Sequence, residues 1–254
     1  MAKVPKSIVA LPAAGLAYVA AQVYRAGHRK DLPTHDNQDI SATIGHPGNP
    51  KLRVVAIGDS SVTCPGVGDM DDCFVRRIAT HLSDRYFIEL TSLAIGGSKA
   101  RDVIADQLEQ AVALRPDLAL VSVGANDAIR ATPVSSYEAD LKTIVGALHD
   151  ASGAVAVMGV GDLGTIPRLP KSLRPLLTAR ARRIDNAAAR VANQFERASK
   201  TENWGRMSTA FATGDLELWA GDQFHASGLG HAIFAEEALP AIEAVIPHAA
   251  GNRI

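Results

Sequence analysis

An α/β fold, a parallel sheet with helices on both faces, is predicted by three observations. Short apolar runs of β-type residues recur at 52–57, 87–95, 118–123 and 155–160, with a less distinct fifth around 204–208. Stretches of helical periodicity separate them, at 74–84, 102–114, 136–151, 178–199 and 228–245. Strands that alternate with helices in this way build parallel sheets. Third, 254 residues of which 47% are hydrophobic and 21% charged provide a core for one large domain or two small ones.

The elements follow in chain order. Lys3 and Lys6 precede an apolar stretch at 8–24, and Arg25, His28, Arg29 and Lys30 follow it. At 1.5 Å per residue the stretch spans roughly 25 Å, slightly short of a bilayer core near 30 Å. Three readings stay open for residues 1–30. They are an uncleaved anchor, a cleaved signal with Val19-Ala20-Ala21 as its cleavage site, and an amphipathic or packed helix of a cytoplasmic protein. The first two give a membrane-associated, envelope or secreted protein. Residues 31–50, rich in Asp, Asn, Gly, His and Pro without apolar periodicity, read as a linker. The folded domain is then 51–254, without internal repeats. Pro116 closes the second helix, and Ser136 looks like the start of the third. Segment 162–177 breaks the rhythm, because Pro167, Pro170 and Pro175 alternate with leucines. It is either a cover over the site or a longer connection whose leucines pack on the domain.

Composition removes several functions. A net charge of −1 without a long basic block argues against nucleic acid as a partner. Arg180, Arg182 and Arg183, the densest basic cluster, read as the solvated face of a helix. No His-Glu-x-x-His or Cys/His ligand spacing suggests a metal. Gly58, Gly66 and Gly68 lack the Gly-Lys-Ser/Thr of a phosphate cradle. Cys64 and Cys73 are either a small disulfide loop or two free thiols, and neither has a placed base. Neither cofactor nor metal is expected.

Acyl transfer through serine needs a hydroxyl, a base, a group to orient the base and donors for the oxyanion. Ser60 directly follows the first apolar run, at the strand end where parallel sheets present chemistry. Asp222 stands three residues before His225, close enough to orient the imidazole and stabilise its charged form. Gly97 follows the second run, and Asn126, within Gly124-Ala125-Asn126-Asp127, follows the third. Backbone N–H groups of Ser60 and Gly97 with the Asn126 amide would surround one oxygen. Asp59 and Asp127 read as loop-fixing acids. Ser61 is the rival nucleophile, and His231 reads as a packing residue.

Gly58-Asp59-Ser60, Gly97, Gly124-Ala125-Asn126-Asp127 and Asp222-Gln223-Phe224-His225 together resemble the four motif blocks of the SGNH (GDSL-type) hydrolases. The resemblance covers about 52–247. It implies a three-layer α/β/α, flavodoxin-like domain with a five-stranded parallel sheet, and esterase activity without metal or cofactor. It assigns Ser60 as nucleophile, His225 as base and Asp222 as third triad member, with Ser60, Gly97 and Asn126 forming the oxyanion hole. Ser92 stands where the second block usually carries Asn, Ala226 replaces the usual proline after the histidine, and the doubled glycine leaves Gly96 as an alternative donor. The expected substrate is a small acyl ester, lipid-like or of short-to-medium chain. An acyltransferase to a sugar or lipid hydroxyl and a catalytically idle, membrane-tethered binding domain are the alternatives. A flavin binder fits the topology but lacks loop aromatics.

Overall fold

The computed structural model describes residues 18, 21, 22, 24, 25 and 29–251, without the side chains of 247–251. Most of the apolar stretch 8–24 therefore lies outside the described residues. Among the described residues no helix is long and apolar enough to cross a membrane.

The central sheet has six strands among the described residues. They are β1 (Ala42–Ile44), β2 (Lys51–Gly58), β3 (Phe87–Ser92), β4 (Leu118–Ser122), β5 (Ala154–Met158) and β6 (Ala198–Lys200), in spatial order β1-β3-β2-β4-β5-β6. The last five are mutually parallel, and β1 joins β3 antiparallel at one edge. Counting only the parallel strands, the order is second, first, third, fourth, fifth. That is the flavodoxin-like arrangement, whose crevice opens at the carboxyl ends of the strands where the order reverses.

Side-chain alternation explains the three layers. On β2, Val55 and Ile57 face one side, whereas Leu52, Val54 and Ala56 face the other. The first face is covered by α3 (Ala100–Asp106), α4 (Leu108–Ala113), α6 (Val134–Ala151) and α7 (Arg174–Ala192). The second is covered by α2 (Phe74–Leu82) and α9 (Gly228–Gly251). Short helices α1 (Ser60–Thr63), α5 (Ala125–Ile129) and α8 (Arg206–Ala212) lie between these elements.

The structure departs from the sequence reading at four places. Residues 31–50 are not all linker, because β1 lies within them and Ile40 is fully buried in the second core cluster. Three residues of strand are too short a run to show periodicity, and pairing with β3 makes them a strand. The fifth parallel strand is 198–200 rather than 204–208. Ala198, Ser199 and Lys200 have little β propensity and are ordered by pairing with Val155, Ala156 and Val157. The helix expected over 102–114 is two, broken at Gln107 (φ −128°), whose side chain is bonded elsewhere. Finally, Arg180 is half-buried rather than free in solvent. Its guanidinium donates to the carbonyl oxygens of Ala128 at 2.9 Å and Thr132 at 2.8 Å, pinning the end of α5.

Candidate active site

The serine turn is built from glycine and a buried acid. Gly58, at the end of β2, has φ +145°, and a Cβ there would overlap the carbonyl oxygen of Ser122 on β4. Only glycine lets β2 and the following turn run this close to β4. Asp59 then caps α1, its Oδ1 accepting the Ser61 N–H at 3.0 Å and the Ser61 hydroxyl at 2.8 Å. Burial raises the Asp59 carboxyl above its ordinary range. Ser61 is engaged in this cap and also bonds the Ser122 hydroxyl at 2.7 Å. The Ser60 hydroxyl has no hydrogen bond to any described residue and lines the cavity.

Gln107 holds this turn from behind. Its Oε1 accepts the Gly58 N–H at 2.8 Å and its Nε2 donates to the Gly58 carbonyl at 2.9 Å. The N–H and the C=O of Gly58 are thus both engaged by one buried carboxamide, 1% exposed, and the C=O also accepts the Ile95 N–H at 3.2 Å. Sequence reasoning missed it. The signal was a glutamine four residues from each of Val103 and Ala111, all on the buried face of what looked like one helix.

The oxyanion candidates lie on neighbouring loops. Gly97 follows β3 with φ +83°, and a Cβ there would meet nothing nearer than Arg130 Nη2 at 3.6 Å. Its N–H and that of Ser60 have no acceptor among the described residues, so both are available to a ligand. Gly96 differs: its Cα lies against the Asn37 carboxamide, which a Cβ would overlap. The doubled glycine has two separate causes, and Gly97 is the better donor. Asn126 Nδ2 donates to the Ser98 carbonyl at 3.2 Å and, at 3.4 Å, to Asp59 Oδ2. It therefore bridges the residues next to Gly97 and Ser60. Asp127 accepts the Ala100 N–H at 3.0 Å, which ties the start of α3 to α5.

On the far side, Asp222 Oδ2 lies 2.7 Å from His225 Nδ1. Asp222 Oδ1 accepts the backbone N–H groups of Phe224 at 2.9 Å and His225 at 3.0 Å. Burial acts to raise the Asp222 carboxyl, but the bonds from the His225 ring and the two amides outweigh it, and the group is held down at about 2. It stays a carboxylate and keeps Nδ1 protonated, leaving Nε2 as acceptor. The turn between them is strained, with Gln223 at φ +57°. Its carbonyl accepts the Arg168 N–H at 3.0 Å, so segment 162–177 buttresses the histidine loop.

Ser60 and His225 line one cavity of about 170 Å³. Its walls are mainly apolar, with Phe74, Met158, Met207, Phe211, Trp219 and Phe234 among them. Leu163 and Ile166 form another part of the wall, so segment 162–177 is packed into the domain, while Leu176 faces solvent. His231 also lines it, buried and stacked on Phe74. Cys64 and Cys73 are buried free thiols beside one another, and burial first, then Cys73, pushes the Cys64 thiol up. Among the described residues no cluster of His, Cys, Asp or Glu could hold a metal ion.

A serine at the end of a parallel strand and a carboxylate-paired histidine in the loop before α9, both lining one apolar cavity, fit a serine ester hydrolase. Residues 56–233 match the GDSL-like Lipase/Acylhydrolase family, and the chain belongs to that family. No curated protein sequence matches it. Among solved structures, a catalytic mutant of Axe2, an acetylxylan esterase from Geobacillus stearothermophilus, is similar at 20% identity and a TM-score of 0.60, covering 76% of this chain and 95% of that one. TesA is similar at 18% identity and a TM-score of 0.61, covering 76% of this chain and 99% of TesA. LAE5, an alpha/beta hydrolase from the metagenome of Lake Arreo, Spain, is similar at 18% identity and 0.61, covering 78% and 97%. At such identities the likeness is one of fold.

Proposed function

We propose that this enzyme hydrolyses small esters of short-to-medium acyl chains through a Ser60–His225–Asp222 triad. The observation that carries the reading is the 2.7 Å Asp222–His225 bond at a cavity that Ser60 also lines. Ser60 Oγ attacks the ester carbonyl carbon as its proton passes to His225 Nε2. The oxyanion receives the Ser60 and Gly97 N–H groups and the Asn126 amide, which releases its longer contact to Asp59. Collapse expels the alcohol, protonated by His225, and leaves the acyl group on Ser60. Water, losing its proton to His225, attacks the acyl-enzyme, and Ser60 regains its proton as the acid departs.

The apolar walls suit a hydrocarbon acyl chain, and a volume of about 170 Å³ suits a short one. The likeness to an acetylxylan esterase makes acetyl esters the natural first member of a substrate series. A p-nitrophenyl ester series from acetyl upward, run on the full chain and its Ser60→Ala variant, tests the reading. Turnover by the wild type with background rates for the variant is the expected result. Equal rates in both would refute it. Residues 8–24 add a membrane or envelope position to the proposal, checked by sedimenting the full chain with lipid vesicles. A chain that stays in the supernatant counts against that position.

A further inference from the structure

We propose that residues 33–40 are a strap that sets the geometry of the oxyanion hole, with Asn37 as its positioning residue. The inference rests on the reading of Ser60 as nucleophile and Gly97 as oxyanion donor. The strap is anchored at one end by Ile40, which is fully buried, and by β1 on β3. Just beyond Ile40, Ser41 Oγ accepts the Ser92 N–H at 3.0 Å, at the point where β3 runs into the loop carrying Gly97.

From that anchor the chain runs past three loops of the candidate site, those after α1, at Gly96 and before Asp222. Gln38 N donates to the Thr63 carbonyl at 3.0 Å, and its Nε2 donates to the carbonyls of Val67 at 3.0 Å and Cys64 at 3.3 Å. Asn37 Oδ1 accepts the Thr63 hydroxyl at 2.6 Å, while its carboxamide lies against Gly96. Further back, His35 lies beside Gly66, and Pro33 lies beside Gly221, the residue before Asp222.

Asn37 is the keystone because it alone of these residues spans the two donors. Thr63 closes α1, whose first residue is Ser60, and Gly96 precedes Gly97. One side chain thereby ties the element carrying one free N–H to the loop carrying the other. Asn37 is exposed, so its removal disturbs little packing. Yet the Thr63 hydroxyl turns from a buried position to meet it, and Gly96 has no side chain at the place it occupies. Oxyanion donors act only if held within a fraction of an ångström of the developing charge. Loosening the strap therefore affects the transition state, whereas the acyl chain binds in a cavity that Asn37 does not line.

The test uses the full chain as wild type, Asn37→Ala, Thr63→Val, the double variant and Thr63→Ser. For each, kcat and KM on a p-nitrophenyl ester are normalised to sites titrated with a fluorophosphonate, and Tm is recorded. Asn37→Ala is expected to lower kcat per titrated site about 10- to 100-fold, the scale of a small misplacement of reacting groups, with KM and Tm little changed. The double variant should be no worse than Asn37→Ala, since Asn37→Ala already removes the Thr63 contact, and Thr63→Ser should keep the rate that Thr63→Val loses. An unchanged kcat per site in Asn37→Ala overturns the proposal. So does a loss that merely follows a fall in Tm and in titratable sites. A wild type that neither turns over nor reacts with the fluorophosphonate overturns instead the Ser60 reading, and does so before any variant is compared.

Discussion

Lowering the pH from 7 to 5 is expected to destabilise the folded protein by about 2 kcal/mol through His231, at 1.36 kcal/mol per pH unit below 6.5. His231 sits in the first turn of α9, 2% exposed. Its Nδ1 accepts the Phe74 N–H at 3.3 Å, and the ring stacks on Phe74 at 5.8 Å and meets Phe234 at 5.4 Å. A proton on Nδ1 would break the first contact and place a charge among aromatic rings. Burial, then repulsion from His225 and Arg77, pulls the imidazole down from 6.5 to about 3. Between those values the unfolded chain binds a proton that the folded one refuses, so stability falls as the pH falls. The full interval of about 3.5 units corresponds to about 5 kcal/mol, reached near pH 3. Asp222, held at about 2, contributes in the same direction only below the ordinary carboxylate range. In a domain of this size about 2 kcal/mol lowers Tm by roughly 4–8 °C. Thermal unfolding at pH 7, 6 and 5 should show that slope in the wild type and a flatter one in His231→Gln. Glutamine keeps an acceptor for the Phe74 N–H and does not titrate. Equal slopes in the two proteins, or a His231 resonance titrating near 6.5, would refute the reasoning.

The remaining predictions concern the site and its supports. Asp222→Asn should keep the fold but leave His225 in the wrong tautomer, lowering kcat by several orders of magnitude, about 10⁴ where the same change has been made in a serine protease triad; a rate near wild type would exclude Asp222 as the third member. Asn126→Ala should lower kcat about 10²- to 10³-fold with KM little changed, read from steady-state kinetics on the best p-nitrophenyl ester. Gln107→Leu leaves the Gly58 N–H buried without a partner and its C=O with the Ile95 N–H alone, so urea unfolding should shift by about 1–3 kcal/mol and kcat should fall with it. Gly58→Ala should abolish soluble folded protein, visible as loss of the cooperative thermal transition, because no rotation moves its Cβ off Ser122.

The strands at 52–57, 118–123 and 155–160 were legible because buried parallel strands are continuous apolar runs bounded by turns, a signal carried by neighbours in sequence. The structure trims or extends them by one or two residues. Ser60, Gly97 and Asn126 were legible for a related reason: each follows a strand, and the topology brings those strand ends together whatever the loops contain, whereas Asp222 and His225 were legible from their spacing of three. Strands β1 and β6 were not legible, since neither has an apolar pattern of its own and each exists only by pairing with a neighbour already in place. Segment 162–177 was legible as unusual but not as a wall of the cavity, because its leucines read the same whether they cover a site or pack beside it.

The order of apolar and polar residues thus determined, without coordinates, the α/β class, and the motif residues pointed to a candidate serine, acid–base pair and set of oxyanion donors. Those properties depend on residue type and on spacing along the chain. Only the tertiary structure decided which glycine is free to donate and which is pressed against Asn37, that Gln107 grips both sides of Gly58, and that Arg180 ends on carbonyls instead of in water. It also turned part of a polar stretch into a strap across the site. Each of these rests on contacts between residues dozens of positions apart, and a hydrogen bond at that range leaves no periodicity in the sequence to read.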